Sequence, residues 1–396
     1  MKGRSTSDAV LLFTDSVYNV LNKGDFLISV FLDFSKAFDT VDHAILLNKL
    51  TKLGIRANSL DLIRSYLSNR KQYVSINGFN SSQLPINIGV PQGSILGPLL
   101  FLIYINDMCR CSTVLKFIHF ADDTTVCLEG GDLTQMFEVM NAELRKVDNW
   151  LCANKLSLNL DKTAYMIYSN KDKNISDAII IRDQIISRVR STKFLGMIID
   201  DELRFVDHIK LICSKVAKSS GILRKLSGIL PHDVLKKIYL SLIYPYLVYG
   251  VECWGASGRT QITKLIAVQN RCIKLVGGQT SPADVTAMYM EMKLLPFTAI
   301  HKYFSVIKFF KYVILNSNNF FNNKICNLQI NHSFNTRFKT NNCLNNIFFT
   351  KSKCHNSFLY QSIGLWNELP VTLRNTNSLS NFKRLLRNFY NVSNVL

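Results

Sequence analysis

The sequence predicts an α+β fold, mixed up to about residue 200 and helical beyond it. Three observations carry this. Short apolar runs at 26–32, 117–121 and 124–128 have strand length and lie between turn residues. Segments with apolar residues at helical spacing separate them. Past Asp200 only the helical period remains. At 396 residues the chain holds two or three domains and buries a large core.

The elements follow in order. Ser7 caps a helix over 7–22, where Ala9, Leu12, Phe13, Val17, Val20 and Leu21 recur at helical spacing until Gly24 ends it. The run 26–32 is apolar on both faces, which suits a central strand, and it closes on Asp33. Asp42 caps a helix carrying Ile45, Leu46, Leu47 and Leu50, stopped at Gly54. A helix over 59–67 leads to a strand pair, 72–76 with 84–90, joined through Asn77-Gly78. Pro91-Gln92-Gly93-Ser94 opens a helix over 95–108. Asp122-Asp123 then join two apolar strands, and a long helix over 133–151 carries a core stripe from Leu133 to Leu151. Strands are expected at 164–168, 178–181 and 194–199.

In the helical part, Phe205, Ile209, Ile212, Val216 and Leu223 share one face, while Lys210, Lys218, Arg224 and Lys225 share the other. An ordinary solvated face is the alternative to a phosphate-binding one. Further helices begin near Pro231 and Thr260, the latter ending at Gly277-Gly278. The uncharged stretch 238–251 is shorter than the roughly 20 residues that span a bilayer. With Pro245 and four tyrosines it reads as one buried, kinked helix. Residues 316–346, rich in Asn, read as a loose connector. Leu365, Trp366, Leu369 and a basic helix over 382–387 restore the pattern.

Forty-seven basic against twenty-eight acidic side chains leave a net charge of +19. Folding needs no such excess. It draws polyanions, with nucleic acid the first candidate and an anionic membrane surface the second. The ten cysteines are scattered, with no Cys-x-x-Cys pair, so no structural zinc is expected and the thiols read as reduced and mostly buried. The N-terminus lacks the apolar core of a signal peptide, which suggests an intracellular protein, nuclear or cytoplasmic.

Acidic residues at the ends of apolar strands carry the chemistry. Asp33, Asp122 and Asp123 are costly there unless cations neutralise them. Two divalent ions about 3.5–4 Å apart would do so and would serve in-line phosphoryl transfer. The Asp-Asp connection also lacks the Gly or Asn of a tight hairpin turn, although most such pairs are solvated loop acids. Phe38 lies five residues after Asp33, where a ring would press on a nucleotide sugar and exclude a 2′-hydroxyl. An ordinary core phenylalanine is the alternative. Asp39 and Asp42 read as turn and cap residues. Gly93 permits close backbone approach, and Gln92 offers a donor and an acceptor to a base pair or sugar. Lys162 would protonate a departing pyrophosphate, or be a surface lysine. Phe194-Leu195-Gly196 would be a turn supporting a primer, or the start of a packed strand.

Taken in order, FLDFSKAFDTVDH, GVPQGSILGPLLFLIYINDM, FADDTT, NLDKT and KFLGMIID resemble reverse transcriptases, especially those of non-LTR, jockey-type retrotransposons. VYGVECWG and LWNELPVTL extend the resemblance over nearly the whole chain. It implies a right-hand polymerase: an antiparallel palm sheet with packed helices and partial fingers over 1–200, a helical thumb over 201–290, and a small basic C-terminal region over 291–396. Asp33, Asp122 and Asp123 would bind two Mg²⁺ ions, or Mn²⁺, and Lys162 would be the proton donor. Phe34, Phe38, Gln92 and Gly93 would meet the nucleotide, and Phe194, Leu195 and Gly196 would form the primer grip. Arg4, Lys210, Lys218, Arg224 and Lys225 would contact nucleic acid. The implied partners are an RNA template, a DNA primer and deoxynucleoside triphosphates, with no membrane.

The family's basic segment before the palm survives only as Lys2-Gly3-Arg4-Ser5, and its finger strands, upstream endonuclease and terminal zinc knuckle are not seen. The sequence therefore looks like an N-terminally truncated copy or partial gene model. A catalytically silent, nucleic-acid-binding remnant is the competing reading. An RNA-copying polymerase conflicts with Phe38, and a two-metal nuclease would not need the Pro-Gln-Gly loop.

Overall fold

The computed structural model describes residues 5–171, 177–278, 285–313 and 342–392. It divides into two compact units, Gly24–Arg190 and Met1–Lys23 with Ser191–Leu396. Helix α1 (Thr6–Lys23) opens the chain and belongs to the second unit. Its cap is Ser5, not Ser7: the Asp8 carboxylate accepts from the Ser5 backbone N–H at 2.6 Å and from its hydroxyl at 2.8 Å. That satisfies the Ser5 N–H, which the helix start would leave unpaired.

The Gly24–Arg190 unit is built on one sheet. Its elements are β1 (Phe26–Leu32), α2 (His43–Lys52), α3 (Asn58–Leu67), β2 (Arg70–Gln72), β3 (Ser75–Ile76), β4 (Phe79–Asn80), β5 (Leu84–Ile86), α4 (Leu96–Ile105), β6 (Lys116–Phe120), β7 (Asp123–Gly130), α5 (Leu133–Ala153), β8 (Ala164–Tyr168), β9 (Ile180–Ile181), β10 (Gln184–Ile185) and β11 (Ser187–Arg188). Five strands pair in the order β11-β8-β1-β7-β6, all antiparallel except β11 with β8. Side chains alternate across a strand. Ile28, Val30 and Leu32 of β1 therefore share a core with Val126 and Leu128 of β7 and Ile167 of β8. That face is closed by Leu46 and Leu50 of α2, Phe101 and Tyr104 of α4, and Phe137, Met140 and Leu144 of α5. Each fully buried side chain of this kind contributes about 1.5–3 kcal/mol. Leu27, Ser29 and Phe31 belong to the opposite face by the same alternation.

Two expectations need correction here. The segment over 72–90 forms two nested hairpins: β3 turns into β4 at Asn77-Gly78, both with positive φ, while β2 pairs with β5 outside them. The strand expected over 178–181 is confined to Ile180–Ile181.

The second unit contains α1, the hairpin β12 (Ser191–Phe194) and β13 (Met197–Asp200), then helices α6 (Val206–Leu226), α7 (His232–Leu242), α8 (Tyr244–Val248), α9 (Val251–Trp254), α10 (Arg259–Val276), α11 (Val285–Glu291), α12 (Phe297–Val313), α13 (Phe358–Glu368), α14 (Val371–Arg374) and α15 (Leu379–Val392). The strand expected over 194–199 is thus a hairpin, because Leu195 and Gly196 both take positive φ and reverse the chain. The single kinked helix expected over 238–251 is broken into three, since Pro245 starts α8 and Gly250 turns left-handed before α9. Asp200 sets the start of α6, its carboxylate accepting from the N–H groups of Glu202, Arg204 and Phe205. Within the helices, buried Gln269 ties the Tyr239 hydroxyl, the Leu295 carbonyl and the Phe297 N–H together. The Asn-rich connector falls mostly outside the described residues. Among the described residues no helix is long and apolar enough to cross a membrane.

Candidate active site

Asp33, Asp122 and Asp123 all stand at one end of the central strand pair. On the central pair the ladder ends with Leu32 across from Thr124, so Asp33 directly follows and Asp123 directly precedes its last paired residues. By alternation Asp123 is on the face away from the helix-covered core, and the position after Leu32 continues the face of Ser29 and Phe31. Asp122 stands one residue away, in the two-residue turn Ala121-Asp122 that joins β6 to β7. Ala121 takes φ 53°, a left-handed conformation that costs a non-glycine residue about 1–2 kcal/mol. Strain of this kind gathers at working sites. Asp122 and Asp123 are exposed and Asp33 is half-buried.

The donors are hard carboxylate oxygens, the chemistry that suits Mg²⁺ or Mn²⁺. Among the described residues no three His, Cys, Asp or Glu side chains gather as metal ligands. The strand ends bring Asp33 and Asp123 to the same end of the central pair, without a formed cage among the described residues. A magnesium ion fits such a pair nonetheless, because it commonly takes one or two carboxylates and completes its shell with water and substrate phosphate.

The loop Asn159-Leu160-Asp161-Lys162-Thr163 pins Asp33 from its other side. The Asn159 N–H donates to the Asp33 carbonyl at 2.8 Å, and the Asp33 N–H donates to the Thr163 hydroxyl at 3.3 Å. Exposed Lys162 rides on the turn closed by these bonds. The anchoring roles of Asn159 and Thr163 were missed in the sequence, where the lysine between them drew the attention.

A cleft of about 690 Å³ opens in the same unit, lined among others by Lys36, Asp39, His43, Arg70 and Gln92. Its floor is the segment before α4: Gly89 and Val90 donate backbone hydrogen bonds to Val41 and Phe38. Gly89 is required there, since a Cβ would come within 2.8 Å of the Asp39 carbonyl oxygen. His43 Nε2 reaches the Gly89 carbonyl at 2.7 Å, and Gln92 Nε2 donates to Asp39 Oδ1 at 2.7 Å. Gly93 takes φ 80° beside open space. Lys36, His43 and Arg70 were not singled out in the sequence; only their distance in space from one another, closed by the fold, makes them a group.

The two phenylalanines separate. The half-buried Phe38 ring packs on Phe101, with centroids 4.6 Å apart. Phe34 is 8% exposed and belongs to the core.

The remaining candidates lie in the second unit. Phe194-Leu195-Gly196 forms the turn between β12 and β13, with the Phe194 ring buried 5.4 Å from Phe13. The Tyr249 hydroxyl donates to the Leu195 carbonyl at 2.6 Å, a support the sequence did not reveal. On α6, Ile209, Ile212, Val216 and Leu223 are buried while Lys210, Lys218, Arg224 and Lys225 are exposed, with Lys210 paired to Asp207 at 3.0 Å. Arg4 lies outside the described residues.

Residues 1–199 match the family described as reverse transcriptase (RNA-dependent DNA polymerase). The chain belongs to the reverse transcriptase family. Its relatives include the RNA-directed DNA polymerase from mobile element jockey of Drosophila funebris, 29% identical over 269 residues, covering 65% of this chain and 29% of that protein. The jockey polymerase of Drosophila melanogaster is 28% identical over 274 residues, covering 64% and 29%. The probable RNA-directed DNA polymerase from transposon X-element of the same species is 26% identical over 312 residues, covering 76% and 34%. These place the chain with the non-LTR retrotransposon enzymes, and it spans about a third or less of their length. The mainly antiparallel sheet with its packed helices is compatible with the palm of this fold. The helices after Asp200 are compatible with a thumb. Dependence on divalent metal is general in the family.

Proposed function

We propose that this chain carries the RNA-directed DNA polymerase activity of a non-LTR retrotransposon, moving a nucleotide from a deoxynucleoside triphosphate to a primer 3′-hydroxyl on an RNA template. The observation that supports this reading is that Asp33 and Asp123 flank the last pair of the β1–β7 ladder, Leu32 with Thr124, beside the strained turn bearing Asp122. Two magnesium ions, or manganese, would neutralise these carboxylates, acidify the 3′-hydroxyl and hold the leaving pyrophosphate. Asp33, Asp122 and Asp123 hold that charge in place, with Asp33 fixed by Asn159 and Thr163. Lys162 gives a proton to the pyrophosphate. Gln92 and Gly93 shape the nucleotide side of the cleft, and Phe38 bars a 2′-hydroxyl. Phe194, Leu195 and Gly196 support the primer, while Lys210, Lys218, Arg224, Lys225 and Arg4 hold phosphates of the template and primer.

A second reading, a nucleic-acid-binding remnant without catalysis, draws on there being no three-ligand cluster among the described residues. Primer extension separates the two. With a primed RNA template, deoxynucleotides and Mg²⁺, the chain extends the primer, and Asp122→Asn lowers the rate at least about 100-fold. Extension no greater than that of the variant favours the remnant.

A further inference from the structure

The basic helix over 382–387, which the polymerase reading leaves unused, lines a second cleft. This cleft, of about 320 Å³, lies wholly within the second unit. On α15, Phe382 and Leu386 are buried, and the Phe382 ring stacks on Phe310 of α12 at 4.1 Å. Lys383 and Arg387, one turn apart, are left exposed at the cleft. Helix α12 supplies Lys308 and Lys311 to it, also one turn apart. Like charges at this spacing oppose helix formation, so stability alone does not account for the arrangement.

Lys308 is held by Asp8 at 2.7 Å and Glu252 at 3.6 Å. Among the described residues lining the cleft, Glu252 is acidic against four basic ones. Burial, and then the charges of Lys383 and Lys308, hold the Lys311 ammonium below its usual range. An anion entering there would relieve that repulsion. Flat rings lie beside the cations: Tyr244, Tyr303 and Phe304 line the same cleft, and Arg387 is close enough to Tyr244 and Tyr303 to draw their phenols down against the upward push of burial.

We propose that this cleft binds a single-stranded nucleic acid, with Lys311, Lys383 and Arg387 on its phosphates and Tyr303 stacking on a base. Cations alone would suit any polyanion. Aromatic faces interleaved with them suit unstacked bases, which neither an acidic peptide nor a duplex offers. The site belongs to the unit that does not hold Asp33, Asp122 and Asp123, and it gives the C-terminal helices a grip on a strand of their own.

The test uses the full chain and a fluorescein-labelled single-stranded RNA of about 20 nucleotides, followed by anisotropy in EDTA without triphosphate. Binding is read without catalysis, so a chain that never extends a primer still tests this site. The double variant K383Q/R387Q should bind about tenfold more weakly, and its salt slope should fall by about 1.4, the value for two lost single-strand phosphate contacts. Both substitutions are at exposed positions, and an unchanged thermal melt confirms the fold. Tyr303→Leu should weaken binding to single strands with the salt slope kept. Unchanged affinity in the double variant overturns the proposal. So does displacement of the RNA by an equal charge of polyglutamate, or tighter binding of a duplex than of the single strand.

Discussion

The amide of Gln92 donates from Nε2 to Oδ1 of Asp39 at 2.7 Å, across the mouth of the cleft in the palm unit. The bond links the loop before α4 to the turn after Asp33, so it holds the nucleotide side of the site in one shape. Gln92→Ala and Asp39→Ala are each expected to raise the KM for deoxynucleotide about three- to tenfold, as fits an exposed charge-assisted hydrogen bond worth about 1 kcal/mol. The double variant should be little worse than either single one. Steady-state extension kinetics check this; fully additive losses would mean that the two side chains act separately.

Phe38 rests on Phe101 with part of its ring still exposed. Phe38→Val should raise the ratio of ribonucleotide to deoxynucleotide incorporation at least tenfold while costing about 1–2 kcal/mol of stability. Incorporation from matched pools and a urea melt measure the two effects. Lost stability with unchanged sugar selectivity would make Phe38 a core residue alone.

Ala121 holds a left-handed φ of 53° between the strands that carry the acids. Glycine adopts that conformation freely, so Ala121→Gly should stabilise the protein by roughly 1 kcal/mol or less, the relief exceeding the entropy cost. Because the turn also aims Asp122, the same change should slow extension. Urea midpoint and extension rate are expected to move in opposite directions. A lower midpoint would contradict the strain.

Burial lowers the pKa of His119, His208 and His301 to about 4. In the unfolded chain these rings titrate near pH 6.5. Above that pH both states are neutral and the stability is fully present. It falls as pH drops from about 6.5 to about 4, where the unfolded chain binds protons that the folded one refuses. Below about 4 these three rings add no further slope. Urea midpoints across this range should show the fall, and replacing His208 by Gln should reduce it. A flat profile from pH 7 to 4 would contradict the burial.

Much of the palm was legible because its signals are local. The apolar runs at 26–32 and 124–128, the Asp42 cap and the Asn77-Gly78 turn all declare themselves within a few residues, and each stands where the sequence put it. What the sequence hid depends on partners distant in the chain. The Asn159 and Thr163 bonds to Asp33, the Arg70 and Lys36 walls of the cleft and the Tyr249 bond to Leu195 all join segments with no shared local pattern. Pro245 was read as a kink within one helix because the apolar run is continuous; the full breaks at Ile243 and Gly250 show only in the backbone angles there.

The central claim is that Asp33, Asp122 and Asp123 hold divalent ions together with a triphosphate. Its most direct measurement is Mn²⁺ binding to the full chain, read by electron paramagnetic resonance with and without a deoxynucleoside triphosphate. Wild-type chain should bind Mn²⁺ weakly alone and at least about tenfold more tightly with the triphosphate, beyond what the nucleotide binds by itself, because the substrate completes the shell that the carboxylates leave open. Asp33→Asn should abolish that gain. An equal gain in Asp33→Asn, or none in the wild type, would contradict the account.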